Sequence, residues 1–154
     1  MLTILNLHRA YKINERLVKR IVTYILRRVF PGGKTELGFI FLTDRKIRTL
    51  NKKYKGEDRA TDVLSFDLSV REAHSSVPLS GEIYISVDKA RKNSKIFNTR
   101  FKEEFVLYVI HGILHLVGYD DESPKDRVRM EKKQEEMLKI LCRKENLSKV
   151  LTRR

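Results

Sequence analysis

The sequence is poor in the residues that staple, punctuate or span. Cys142 is the only cysteine in 154 residues, so no internal disulfide can form. Its lysine-rich surroundings hold no Cys or His at ligand spacing, which predicts a reducing cytoplasm and a packing role for the thiol rather than a nucleophilic one. Seven glycines and three prolines, with 41% hydrophobic and 34% charged residues, argue against disorder. No apolar run approaches the roughly 20 residues a membrane helix needs. The start, MLTILNLHRAYKINERL, has neither a basic stretch ahead of an apolar one nor a small-residue cleavage site, so the protein is expected to be neither exported nor membrane-embedded. Also missing are GxxxxGK[ST], GxSxG and GxGxxG segments and any CxxC pair, which removes the phosphate loop, the serine-hydrolase elbow, the dinucleotide fingerprint and the zinc-deaminase signature.

Negative charge is scarce in one region. Residues 1–55 carry 3 acids against 14 Lys and Arg, whereas residues 56–154 carry 17 against 19, so the net charge of +13 is largely an N-terminal property. Such asymmetry suits a polyanion, because each phosphate neutralised releases condensed counterions; a solvated charged face is the plainer alternative. The expectation is a phosphate-tracking face near the chemistry, built from the first two helices and including Lys19, Arg20, Lys52 and Lys53.

The chain is long enough to bury roughly two-thirds of its unfolded surface in one core. TILNL reads as a strand. From Asn14 as N-cap, Leu17, Val18, Ile21, Val22, Ile25, Leu26 and Val29 recur at helical spacing, with basic residues on the other sides. ELGFIFLT is a strand, Asp44 a cap for the helix RKIRTLNKKY, DVLSFDL a strand, VREAHSSVPLSG a loop, EIYIS a strand and VDKARKNSKIF a short helix. Arg100 to Val117 form a helix apolar on nearly every side, hence buried. Ser123 and Pro124 open the last helix, which runs to about Glu145. The fold class expected is α+β: a single domain over residues 1–145 with a small, mostly four-stranded mixed sheet covered by helices, and residues 146–154 as a frayed tail.

The stretch HGILHLVGYDD, from His111 to Asp121, carries the chemistry. Residues four apart on a helix lie one above the other, so His111 and His115 can aim at one point. Gly118 can then turn the chain back and bring Asp121 toward them. The spacing HxxxHxxGxxD matches the metzincin pattern at the two histidines and the glycine, with Asp121 in the place of the third histidine. Three protein ligands with an open fourth position describe a catalytic rather than a structural metal site. Histidine pairs on apolar helices usually just pack, but the glycine and the aspartate at these offsets tip the reading to metal. The glutamate that serves zinc proteases as base is replaced by Gly112, so peptide hydrolysis by that route loses its proton acceptor.

HGILHLVGYDD resembles the HGxLHLxGYDH motif of the YbeY family of bacterial endoribonucleases. YKGEDRATDVLSF and LSGEIYIS resemble two further blocks of that family, usually near YRGKDKPTDVLSFP and LGDIxIS. The resemblance implies a metal-dependent, single-strand-specific endoribonuclease acting in 16S ribosomal RNA 3′-end maturation and ribosome quality control, with RNA of the small ribosomal subunit as partner. It also implies one Zn²⁺ held by His111, His115 and Asp121. Three positions depart from the pattern. Asp121 replaces a histidine, which gives Mg²⁺ or Mn²⁺ some ground over Zn²⁺. Lys55 replaces an arginine and offers a point charge instead of a bidentate fork. Glu82 replaces an aspartate.

Chemically, Lys55 and Arg59 could hold a phosphate, Lys55 also neutralising charge at the reacting group, and Glu82 could serve as general base. Asp120 could support a ligand from outside, and Ser65 has no base beside it and reads as structural. Two other function classes stay open: a metallohydrolase of protein or another ester, and a non-enzymatic RNA- or ribosome-binding factor with a structural metal.

Overall fold

In a computed structural model the described residues are 1–69 and 77–154. The chain runs β1 (Leu2–Asn6), β2 (Tyr11–Ile13), α1 (Glu15–Val29), β3 (Thr35–Leu42), α2 (Asp44–Lys55), β4 (Val63–Asp67), β5 (Leu79–Ser86), α3 (Val87–Ile96), α4 (Phe101–Leu116), α5 (Pro124–Lys144), a 3₁₀ turn (Leu147–Lys149) and β6 (Leu151–Arg153). Four strands form a mixed sheet in the order β1-β3-β5-β4, with β1, β3 and β5 parallel and β4 antiparallel on the edge. This is the α+β architecture with a four-stranded mixed sheet expected from the sequence.

Side chains alternate along a strand, and here each set has its own cover. Leu37, Phe39 and Phe41 of β3 and Ile83 and Ile85 of β5 join one large core with the apolar stripe of α1 (Leu17, Val18, Ile21, Val22, Ile25) and with α4. α4 is buried on nearly every side, Phe105, Val106, Ile110, Ile113 and Leu114 being inaccessible to solvent. The opposite face has a second, smaller core in which Ile47 of α2 packs with Leu42 and Leu64, flanked by Ile40, Phe66 and Tyr84. α1 and α2 therefore cover opposite faces of the sheet. The single basic face expected from Lys19, Arg20, Lys52 and Lys53 does not form, because the two helices are separated by the sheet.

Other differences have local causes. Thr43, not Asp44, caps α2: its side chain accepts from the Lys46 N–H, and Asp44 is the first helical residue. β5 starts at Leu79 rather than Glu82, because Gly81 pairs with both Leu37 and Asp67 in the sheet. A side chain at Gly81 would lie 2.8 Å from the Phe66 carbonyl oxygen and 2.9 Å from Leu116, so the loop-like glycine marks a close approach. The remainder of the loop VREAHSSVPLSG falls largely on residues 70–76, outside the described residues. The tail does not fray. β6 pairs antiparallel with β2, and Leu147, Val150 and Leu151 are buried in the main core. Three-residue strands carry too little alternation to be recognised in sequence.

Candidate metal centre

The histidines owe their position to glycine at two places. A side chain at Gly112 would meet Ile83 Cγ2 at 2.5 Å, so its absence lets α4 sit directly on β5. Ser65 on β4 donates its hydroxyl to the Gly112 carbonyl at 3.2 Å, which fixes the helix against the edge strand and accounts for that serine structurally. The residue after His111 thus faces the sheet, and a glutamate base of the zinc-protease kind would have no room there. At the other end of the motif, Gly118 takes φ 106°. The Gly118 N–H donates to the His115 carbonyl and the Tyr119 N–H to the Leu114 carbonyl, the paired bonds of a Schellman ending that turns the chain back over the last turn. Asp120 then accepts from the N–H groups of Asp121 (2.6 Å) and Glu122 (3.0 Å). Its carboxylate shapes the turn that presents Asp121.

The result is convergence. Nε2 of His111 and Nε2 of His115 lie 2.9 Å apart with ring planes at 81°, and Asp121 Oδ2 is 3.7 Å from His115 Nε2. One donor atom from each of the three residues lies within 4.8 Å of the others. An ion at about 2.0–2.2 Å from each donor keeps any two within about 4.4 Å, so a small closing movement of Asp121, whose side chain is 46% exposed, completes the set. Two imidazoles and a carboxylate on the protein surface could hold a divalent metal ion.

His111 is held in the state such a site needs. Burial, and then the neighbouring His115, push its pKa below the ordinary histidine value, against the smaller upward pull of Asp62, Gln134 and Asp121. The imidazole is therefore biased to its neutral, ligating form. Its Nδ1 lies 3.3 Å from Oε1 of Gln134. An amide oxygen only accepts, so the proton sits on Nδ1 and the lone pair on Nε2, toward the convergence point. Gln134 is 8% exposed, the one polar side chain among the buried residues of α5 (Met130, Gln134, Met137, Leu141). Sequence reasoning missed it, although a glutamine in an apolar helical stripe was the available signal.

The other expected site residues are not drawn together. Glu82, expected as general base, lies away from the histidines. Its neighbours Gly81 and Ile83 face α4, so Glu82 projects from the opposite face of the sheet, where its Oε2 accepts the Tyr84 hydroxyl at 2.7 Å. Burial first, and then Glu82, push that phenol up to about 12. Lys55 ends α2 and is exposed, and Gly56 caps the helix with φ 71°. Arg59 is engaged by Glu57 at 2.8 Å, with its side chain 70% exposed. Among the described residues no hydrogen bond or ion pair joins Lys55 or Arg59 to the His–His–Asp group; they sit at the start and middle of the segment that leads to Asp62 and β4.

Residues 4–142 match the family model described as Endoribonuclease YbeY. The chain belongs to the YbeY family. Relatives carrying that name include a protein of Anaeromyxobacter sp. (strain Fw109-5), 42% identical over 80% of this chain and 62% of its own length. Another, from Desulforamulus reducens, is 35% identical over 88% of this chain and 94% of its own. This chain thus spans less than two-thirds of the first relative and nearly all of the second. The solution structure of TM1509 from Thermotoga maritima is similar in fold, with a TM-score of 0.62 and 30% identity over 90% of this chain and 87% of that one. Membership in the YbeY family and the His–His–Asp group rest on separate observations, one of whole-chain similarity and one of atoms. Among the described residues no helix is long and apolar enough to cross a membrane.

Proposed function

We propose that the chain is a metal-dependent endoribonuclease of the cytoplasm that cuts single-stranded RNA, acting in 3′-end maturation of 16S ribosomal RNA and in quality control of the small ribosomal subunit. The observation that carries this reading is the convergence of His111, His115 and Asp121 within 4.8 Å in a chain of the YbeY family. These three residues hold the ion, with Zn²⁺ the first candidate and a harder divalent ion favoured more than in an all-histidine set, since Asp121 supplies an anionic oxygen. When bound, such an ion supplies Lewis-acid polarisation of a phosphoryl group. The chain's own residues do the rest. Gln134 keeps the Nδ1 proton of His111 in place, and Asp120 holds the turn that carries Asp121. Lys55 and Arg59, on the segment that leads to Asp62 and β4, hold the RNA backbone, Arg59 exchanging its exposed pairing with Glu57 for a phosphate.

The test is cleavage of an unstructured RNA oligonucleotide by protein purified without chelators, with its metal content measured, then after chelation and after return of Zn²⁺, Mn²⁺ or Mg²⁺ in turn. Internal cuts that vanish on chelation and return with one ion are expected. Cleavage indifferent to chelation overturns the metal-dependent reading, and casein hydrolysis in place of RNA cleavage overturns the nuclease reading.

A further inference from the structure

α1 and α5 enclose a groove that the metal centre does not use. Arg16, Lys19, Arg20, Thr23 and Arg27 project along one side of α1, Lys144 and Glu145 form the opposite wall, and Tyr24 and the buried Leu141 line the floor of a space of about 610 Å³. From Arg16 to Arg27 the row extends about 16 Å at the helical rise per residue. The one acid in the groove is already consumed: Arg20 donates to Glu145 through Nε at 3.0 Å and Nη2 at 2.7 Å, and this hydrogen bond holds the Glu145 carboxyl below its usual range. Arg16, Lys19, Arg27 and Lys144 are exposed, and among the described residues none of them forms an ion pair with an acid. A second depression of about 810 Å³ shares Lys144 and Glu145 and is lined by Arg100, Lys102 and Arg143 together with the acid Glu103.

Tyr24 bears on what such a groove holds. Arg28 and Lys144 lie over its ring, at 5.2 and 4.6 Å from the centroid. Its hydroxyl is shielded from solvent and makes no hydrogen bond among the described residues, an arrangement that leaves a donor unsatisfied. A phosphate oxygen is an acceptor of the kind this hydroxyl lacks, and Tyr24 lines the groove.

We infer that this α1/α5 groove is a second docking surface for the phosphate backbone of single-stranded RNA, separate from the metal centre. The inference rests on the RNA-cleaving reading above for the identity of its polyanion. The two sites share α5: Gln134, which touches His111, and Lys144 are ten residues apart in one helix, about 15 Å. An RNA seated in the groove is thus held at a distance from the point of cleavage. A membrane surface fits less well, because interfacial helices insert an apolar face, and the apolar residues of α1 are buried (Leu17, Val18, Ile21, Val22 and Ile25) or packed partly buried against the core (Leu26 and Val29).

The probe is an unstructured oligouridine of about 20 nucleotides, its binding measured over a salt series in the presence of chelator, so that cleavage plays no part. The groove variant carries Arg16→Gln, Lys19→Gln, Arg27→Gln and Lys144→Gln. A control of equal net charge carries Lys12→Gln, Arg91→Gln, Lys95→Gln and Lys132→Gln, all exposed, and melting curves verify that both fold. Loss of four phosphate contacts flattens the slope of log affinity against log salt by about 3, and this flattening is expected in the groove variant and not in the control. Equal flattening in both overturns the inference, since charge alone would then be responsible. Groove-dependent binding to anionic phospholipid vesicles with no groove dependence toward RNA overturns it in favour of a membrane surface. Groove-dependent RNA binding by a parent protein that cuts no RNA with any ion supports the groove while refuting the nuclease reading.

Discussion

On one face of β5, Gly81 and Ile83 meet α4 beneath the histidine pair; on the other, Glu82 and Tyr84 bond to each other on the side covered by α2. The two sets come from one eight-residue strand and differ by one position in register. On the α4 side a side chain at Gly81 or Gly112 would come within 3 Å of Phe66, Leu116 or Ile83, and this close approach seats the helix that carries His111 and His115. The α2 side has a smaller core and a half-buried carboxylate whose partner is a phenol. Proximity in sequence to a catalytic motif block therefore says little about access to the reacting centre; the parity of the strand decides it.

Several substitutions can break or sharpen that contrast. The largest effect belongs to the ligands themselves: Asp121→Ala or His115→Ala should lower metal affinity by more than the 10–100-fold typical of losing an outer partner and abolish metal-dependent RNA cleavage, as read by competition with a chromogenic chelator and by RNA cleavage. Asp121→His should move the other way, tightening Zn²⁺ binding and shifting the activity profile to lower pH, because a neutral imidazole leaves the ion more positive. Retention of normal affinity in Asp121→Ala would remove Asp121 from the ligand set.

Next is the α4–β5 contact. Gly112→Leu gains helix propensity but drives a side chain into Ile83, and the net loss should be about 2–3 kcal/mol in urea unfolding. Ile83→Ala in the same chain should return part of it, and strict additivity of the two losses would show that the helix does not rest on that contact. Gln134→Leu keeps the volume near His111 while deleting the acceptor for Nδ1–H. Metal affinity should fall about tenfold, and the His111 ring should populate both tautomers in nitrogen-15 spectra of the metal-free protein; an unchanged tautomer would show that Gln134 does not set it. The smallest effect is expected on the far face. Glu82→Gln should change RNA cleavage less than about twofold and leave its pH dependence alone, since its carboxylate lies across the sheet; a large loss of turnover with normal stability would contradict the placement of that face.

Most of the elements were legible because each carried a local rule. The apolar period of α1, the Ser123–Pro124 start of α5 and the strand alternation around FIF act within a few residues, and those elements occur where expected. His111, His115, Gly118 and Asp121 were legible together for the same reason: a helical turn and a Schellman ending are local geometry, so spacing alone brings three donors to one point. What spacing could not supply was any relation between distant segments. Gln134 reaches His111 from another helix, Lys19 and Lys52 stand on opposite sides of a sheet, Glu82 faces away from the histidines, and β2 finds β6 across most of the chain. The sequence by itself determined the longer helices and strands and the His–His–Asp convergence, where short-range sterics and hydrogen bonds dominate. Only the tertiary structure decided which charges share a groove, which face of the sheet carries Glu82 and which polar residue bonds to His111, because those depend on how helices and strand faces are stacked around the buried core.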